Sequence, residues 1–486
     1  MTARSKLTTI TTSELVDRRE AESPPASQSI SARLLLSLAA GALLAASFPP
    51  YRMPFLLPAG FALLVYALDG LRPRHGFYFG FAAGVVYFGA TLFWLSNLFG
   101  AAAVSLIAIA AAFPLVFGVG FTFLRRRLLR MPLRILAPVL WTGIEYFRSE
   151  PFPLNFGWMG LGYGVVNSPL AALIASWVGC YGVTFAIALI GVGLWQSVRS
   201  RRWSVACAVA VAWLALLDVP LPTPHASNPL RVRMVQAMSD DEEDLYKFSR
   251  ESPGFRPDIV LWPEYSLQSD PTRDPKVWSK LREFARTSGA FLIFGAKERI
   301  EGPVAETYHN TAFVLHPRGE IVGRHYKNHP VHFIKDGVAG EEARAIPTTF
   351  GRLGVAICFD MDYPEVARKL ARDGAEVFLI PNMDPAEWGD VQREQHRLMF
   401  QMRAAECGKW LARADVAGGT SVTAPNGHEV ARIASGEPGR LDSTIGRNNN
   451  LTIYVRGGWL FGPACLATSV LLLLASMRKP NDADIR

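Results

Sequence analysis

Gly354-Val-Ala-Ile-Cys358-Phe-Asp-Met-Asp-Tyr-Pro364-Glu365 decides the reading of this chain: an apolar run stops abruptly on a thiol, and acids and a proline follow. Two upstream segments have the same form. Asp258-Ile-Val-Leu-Trp-Pro-Glu264 is an apolar run ending on a carboxylate, and Gly323-Arg-His-Tyr-Lys327-Asn-His ends on an amine. Four to eight apolar residues closed by Pro or Gly read as buried strands. A base, a cation and a thiol at three strand tips are what amide or ester cleavage through a covalent thioester requires. The carboxylate of Glu264 takes the thiol proton, the Lys327 ammonium stabilises the oxyanion, and the Cys358 thiolate attacks.

Further apolar runs surround these. Residues 231–237, 259–262, 291–294, 311–315, 353–357 and 377–380 read as strands, 275–288 and 364–373 as helices, and 387–410 carries a longer helix. Strands alternating with helices predict an α/β domain.

The rest of the chain is of another kind. Half of the 486 residues are hydrophobic and 19% are charged, and mean hydropathy is positive, too apolar for an ordinary soluble protein. Apolar segments at 32–48, 54–71, 76–99, 101–124, 132–147, 170–198, 203–219 and 458–476 each approach the roughly twenty residues that cross a bilayer. About eight spans are expected. The net charge of +8 is gathered at segment ends rather than into a basic face interleaved with aromatics, which argues against nucleic acid.

Those ends predict orientation. Arg72 and Arg74 follow the second segment, Arg125, Arg126, Arg127, Arg130 and Arg134 the fourth, Arg199, Arg201 and Arg202 the sixth, and Arg478 and Lys479 the eighth. By the positive-inside rule both termini are cytoplasmic and residues 220–457 face the other side, the periplasm in a bacterium. Residues 1–30 are polar, Ser/Thr-rich and interrupted by Pro24-Pro25. They read as a disordered cytoplasmic tail rather than a signal peptide, because no apolar core begins before Leu34.

Of five cysteines, Cys180, Cys207 and Cys465 fall in apolar segments and Cys407 on a helical pattern. All four read as packing residues. No disulfide framework follows, no Cys/His spacing suits a metal, and no cofactor is implied.

Taken together, Trp-Pro-Glu264, Tyr-Lys327-Asn-His and Ile-Cys358-Phe-Asp resemble the Glu-Lys-Cys triad of the nitrilase superfamily, and the membrane flank narrows the resemblance to apolipoprotein N-acyltransferases. The resemblance covers the chain from about residue 30 onward. It implies a two-sheet sandwich flanked by helices (αββα) on the far side of a polytopic helical membrane domain. It also implies the boundaries: a tail at 1–30, seven membrane helices within 31–220, a catalytic domain at 228–456, an eighth span at 458–476 and a cytoplasmic tail at 477–486. The implied partners are a phospholipid acyl donor and a lipoprotein acceptor, in the bacterial inner membrane.

Supporting residues follow from the same resemblance. Asp360 stands where the acyltransferases usually carry Glu, and would orient the site or cap the next helix. Asn382, Asp384 and Trp388 resemble an Asn-Asp-x-Trp loop, here stretched to Asn-Met-Asp-Pro-Ala-Glu-Trp. Gln395-His396 and Arg403-Ala-Ala-Glu406 resemble a Gln-His and Arg-Ala-x-Glu helix, in which Arg403 and Glu406 pair at one-turn spacing. Glu145 and Arg148, in Trp-Thr-Gly-Ile-Glu-Tyr-Phe-Arg, and Phe156-Gly-Trp-Met-Gly-Leu-Gly-Tyr163 resemble membrane-side motifs; Glu145 and Arg148 are spaced to pair.

The chain also departs from the family. Lys335 occupies the place of a second active-site glutamate, leaving Asp336, Glu341 or Glu342 as substitutes. The stretch between Gln236 and Glu264 is short, which implies a trimmed first helix. A membrane-tethered amidase or nitrile hydrolase, and a non-catalytic lipid-binding descendant, therefore stand beside the acyltransferase. Oligomeric state has no signature here.

Overall fold

A computed structural model of the chain describes residues 29–478 except 130, 219–221, 238–241, 251–253 and 302–306. The expected tail as far as residue 28, Arg130, Lys479 and the segment after it lie outside the described residues.

Helices form at all eight apolar segments. The first seven are α1 (Ile30–Ala46), α2 (Leu57–Leu68), α3 (Pro73–Thr91), α4 (Ala103–Arg127), α5 (Leu133–Ser149), α6 (Pro169–Arg199) and α7 (Trp203–Asp218). Three stretches, 95–127, 169–199 and 458–477, are long and apolar enough to cross a membrane. α1 and α7 are shorter apolar helices. Large apolar side chains such as Tyr78, Val104, Val211 and Leu471 are turned outward, as a hydrocarbon-facing surface requires.

Little hydrophobic force holds helices together in lipid, so close backbone approach has to supply the contact. Gly76, Gly80 and Gly84 repeat every four residues on one face of α3. A Cβ at any of them would collide with backbone of α4 at Gly118, Pro114 or Ala111.

The basic segment ends gather at one end of the bundle. Arg125 and Arg199 share the carboxylate of Asp69 at 3.3 and 3.4 Å, and buried Arg33 donates to the Asp69 carbonyl. The other end carries the α/β domain.

That domain opens with β1 (Leu230–Gln236), followed by α8 (Glu242–Ser249), β2 (Ile259–Leu261), α9 (Pro275–Ser288), β3 (Phe291–Arg299), β4 (Tyr308–Leu315) and β5 (Ile321–Tyr326). It continues through β6 (Ile346–Thr348), β7 (Gly351–Val355), α10 (Pro364–Arg372), β8 (Val377–Pro381), α11 (Asp390–Cys407), β9 (Leu411–Ala414), β10 (Ser421–Thr423), β11 (Glu429–Arg432) and β12 (Gly439–Ile445). Two six-stranded sheets result, ordered β12-β1-β2-β3-β4-β5 and β11-β10-β9-β8-β7-β6. Val232, Met234, Ile259 and Ile293 pack between them. Val235, Val260, Leu292 and Phe294, on the opposite face of the same strands, pack against α8 and α9. The alternation expected of strands buried on both sides thus produces the layered sandwich. The first helix of the domain, α8, spans 8 residues.

α11 joins the two halves and is buried along nearly its whole length. Gln395 donates to the carbonyls of Pro49 and Thr91 and accepts from Trp94 Nε1. Further along, Arg403 pairs with Glu406 at 3.2 Å and donates to the Tyr163 hydroxyl. α6 breaks at Gly179 (φ 74°), where the helical ladder lapses, and Glu406 Oε1 accepts from the freed Cys180 N–H at 2.8 Å. A carboxylate of the α/β domain thereby caps a membrane helix. The final helix, α12 (Phe461–Met477), returns beside α5, where Gly143 meets Cys465 backbone.

Candidate active site

Glu264, Lys327 and Cys358 converge at the open ends of β2, β5 and β7, and all three are almost fully buried. Lys327 Nζ lies 2.8 Å from Glu264 Oε1, and Asn310 Nδ2, from β4, donates to the same oxygen at 2.6 Å. Burial pushes the Glu264 carboxyl up, against the pull of Lys327, which suits a group that must accept and return a proton. Burial opposes the charge on Lys327, but Glu264 and Asp336 beside it hold its pKa well above the ordinary lysine value. It is a permanent cation. Burial and the Glu264 charge push the Cys358 thiol well up, with Lys327 acting the other way. The resting group is therefore the thiol, and ionising it calls for a proton acceptor such as the neighbouring carboxylate.

Cys358 sits at φ 47°, a left-handed conformation that costs a non-glycine residue on the order of 1 kcal/mol. Asp360 holds that turn. Its carboxylate accepts from Ile357 N, Asn328 N, His329 N and His325 Nε2 at 2.7 to 3.0 Å. Burial alone would raise its pKa, but His325 and these N–H donors hold it below the usual value. Asp360 thus ties the thiol turn to the strand end that carries Lys327. It does not cap α10, whose N-cap Tyr363 makes no side-chain cap.

The acid beside Lys327 is Asp336. Its Oδ2 lies 2.7 Å from Nζ, and it also accepts from Asn310, Tyr265 and Val331 N. The 331–336 loop folds back, with Phe333 at φ 64°, so the next residue fills the place that ungapped register gives to Lys335. Lys335, Glu341 and Glu342 are exposed. Glu341 is therefore corrected: its loop runs over the surface.

Asn382 is buried but acts on backbone. Its backbone carbonyl accepts from Glu264 N and its side-chain amide donates to Asp415, so it fixes the position of Glu264. Trp388 closes a short turn and faces the cavity below. Glu145 and Arg148 form no ion pair among the described residues, against the expectation from their spacing. Glu145 accepts from Thr184, Leu161 N and Trp141, while Arg148 donates to the Trp158 carbonyl and lies over the Phe88 ring. Donors surround the Glu145 carboxylate, and a carbonyl acceptor takes the Arg148 guanidinium.

A second buried cluster adjoins the thiol. His396 of α11 lies 2.8 Å from Asp384 and 3.0 Å from Asp362, and Trp158, from the membrane half, stacks on its ring and donates to Asp362 at 2.5 Å. Burial would lower the His396 pKa, but Asp384 and then Asp362 lift it to about 9, so the ring is an imidazolium at neutral pH. Donor atoms of Cys358, Asp384 and His396 lie within 4.8 Å of one another, a set whose types suit a soft divalent cation. In the folded chain the imidazole is already held by both carboxylates, and Asp384 also accepts from Gln392. Linear spacing hid this cluster, and it hid Asn310 and Tyr265 as well. The one available signal was an amide, Asn310, inside an otherwise apolar strand.

An apolar cavity of about 110 Å³ opens onto Cys358. Leu95, Leu106 and Phe113 of the membrane half, Phe156 and Trp158 of the following loop, and Phe359 and Trp388 of the α/β half line it. It joins the face of α4 to the thiol.

Residues 40–193 match the family described as "Apolipoprotein N-acyltransferase N-terminal domain" and residues 248–448 the family "Carbon-nitrogen hydrolase". Among curated relatives, the apolipoprotein N-acyltransferase of Geobacter metallireducens is 26% identical, over 92% of this chain and 95% of its own. That of Photobacterium profundum is 26% identical over 93% and 97%, and that of Pseudomonas syringae pv. tomato 27% over 91% and 96%. Among solved structures, an amidase from Nesterenkonia sp. superposes with a TM-score of 0.39 and 22% identity, covering 48% of this chain and 95% of its own. A carbon-nitrogen hydrolase from Helicobacter pylori G27 gives 0.38 and 22%, over 48% and 94%.

Proposed function

The chain belongs to the apolipoprotein N-acyltransferase family, and from that premise we propose that Cys358 carries an acyl group from a phospholipid to the N-terminal amine of a diacylglyceryl-cysteine lipoprotein. The observation that carries this reading is the cavity: an apolar pocket between α4 and the α/β domain opens onto a thiol near a buried carboxylate and a buried ammonium.

In the first half-reaction Glu264 takes the thiol proton and the thiolate sulfur attacks the ester carbonyl. Lys327 stabilises the oxyanion, which is where preorganised charge has its largest effect. As the ester C–O bond breaks, Glu264 returns the proton to the departing glycerol oxygen. A thioester and a lysophospholipid result. In the second half the lipoprotein amine attacks the thioester, Glu264 accepts the amine proton, and the amide forms as the C–S bond breaks and Cys358 recovers its proton. A water-poor channel protects the thioester meanwhile.

Asp336 in the second acid position argues against an inactive descendant. The lipid-like lining argues against a tethered amidase for small soluble amides.

The wider arrangement belongs to the same proposal. The domain boundaries are those stated above: residues 31–220 as seven spans, 228–456 as the catalytic domain and 458–476 as an eighth span. Arg33, Arg125 and Arg199 at one end of the bundle and the α/β domain at the other support cytoplasmic termini, a periplasmic catalytic domain and an inner-membrane location.

Intact-mass spectrometry of the detergent-purified protein with phospholipid tests the reading. The expected product is a hydroxylamine-sensitive acyl adduct, absent from Cys358→Ala and discharged by a lipopeptide amine. Discharge without an amine, at the same rate, would make the protein a hydrolase instead.

A further inference from the structure

At the end of the helical domain away from Cys358, a groove of about 400 Å³ runs between α6 and α7, with Arg134 of α5 at its mouth. The groove is graded. On α6 its lining passes from Leu189, through Gly193, where a Cβ would meet nothing within 4 Å, to Gln196 and Ser197. Those positions are three or four apart and share one helix face. α7 repeats the gradient from its own end, with Arg202 first and then Val205 and Val209. Both walls are therefore polar at the basic end of the bundle and apolar toward its middle.

The two arginines hold charge to spare. Arg134 and Arg202 are exposed, and neither has an ion-pair partner among the described residues. The acid on this side, Asp69, is already shared by Arg125 and Arg199. Trp203, 58% exposed, opens α7 directly after Arg202, and a tryptophan at a helix end marks the headgroup level of a bilayer.

An occupant must meet two guanidiniums at one end and aliphatic walls along the rest. A phosphodiester suits the guanidiniums, and acyl chains suit Leu189, Val205 and Val209. We propose that this groove binds one anionic phospholipid of the leaflet at the basic end, separately from the acyl donor, through Arg134 and Arg202. The proposal rests on the reading of α6 and α7 as membrane-spanning.

The experiment is native mass spectrometry of the full-length protein in detergent, titrated with dioleoyl phosphatidylglycerol or dioleoyl phosphatidylcholine. Wild type is expected to retain one phosphatidylglycerol more than phosphatidylcholine. In Arg134→Gln/Arg202→Gln the apparent affinity for that lipid falls about thirty-fold, from about 1 kcal/mol per basic residue. Arg134→Lys/Arg202→Lys keeps the charge and most of the binding. An unchanged melting temperature in lipid-free detergent shows the Gln variant folded. Equal retention of the two lipids, retention unaffected by the Gln pair, or displacement of the lipid by inorganic phosphate alone overturns the proposal. The last outcome means an anion site without a lipid.

Discussion

Asp336 holds Lys327: its Oδ2 lies 2.7 Å from the ammonium nitrogen, on a site shared with Glu264 at 2.8 Å. Two buried carboxylates and one buried cation leave a net negative charge unless Glu264 carries a proton part of the time. On the proposed mechanism Glu264, whose carboxyl burial pushes up, carries the proton, and Asp336 lies against the ammonium. Asp336→Asn should therefore slow acyl-adduct formation by roughly 10²-fold, the scale of losing one preorganised electrostatic group. Lys335→Ala, one residue away on the surface, should leave the rate within about twofold, because exposed changes carry little energy. Equal losses in the two variants, read by intact mass, would mean the loop has been threaded wrongly.

Glu264→Gln removes the proton acceptor but keeps the shape and the Asn310 contact. Adduct formation should fall by roughly 10²- to 10⁴-fold, the usual range for general acid–base catalysis. The loss should persist at high pH only in part, since hydroxide can ionise the thiol directly. A pH–rate profile of the variant, compared with wild type, reads this out.

His396 contributes a pH-dependent stability of definite sign. Its folded pKa of about 9 lies above the unfolded value of about 6.5. Its contribution is full below about pH 6.5 and is lost as pH rises through about 9, and over that window it amounts to about 3 kcal/mol. The melting temperature in detergent should drop between pH 6.5 and 9.5 in wild type. In His396→Gln it should start lower and stay flat. Parallel curves for the two proteins would assign the effect elsewhere.

Glu406 and Gly179 share one interdomain contact. Glu406→Gln leaves the Arg403 guanidinium buried without its acid, a loss of about 3–5 kcal/mol. Gly179→Ala strains a residue at φ 74° and drives its methyl into the Tyr454 ring, a loss of about 1–3 kcal/mol. The double variant should lose less than the sum, because both changes break the same cap. Thermal unfolding of the four proteins completes the cycle, and strict additivity would refute the link.

Ile109 lines the cavity from α4 and is partly open. If the cavity holds the donor's acyl chain as proposed, Ile109→Trp should shift donor preference toward shorter chains while the rate with the shortest donor changes little. Competition between donors of two chain lengths, with the adduct masses counted, measures it.

Much of this architecture is legible residue by residue. Apolar runs closed by Glu264, Lys327 and Cys358 announce strand ends, because strand burial and turn chemistry are local. The apolar segments and their arginine ends announce a helical membrane part for the same reason, since length, hydropathy and charge belong to short windows. The stripe Gly76, Gly80, Gly84 was equally present in the sequence, but its meaning depends on α4 lying against it.

Which distant groups meet depends on how the whole chain packs. Asp336 rather than Glu341 faces Lys327 because one loop turns back at Phe333. Glu145 and Arg148, three residues apart, form no ion pair among the described residues, because Thr184 holds one and the Trp158 carbonyl the other. His396 becomes a cation between Asp362 and Asp384, and Glu406 caps a break in a helix more than two hundred residues earlier. Each outcome is a competition among partners far apart in the chain, settled by packing distances of a few ångströms that no local pattern encodes. Short stretches of residues specify the elements and the chemistry at their ends; packing chooses the pairs.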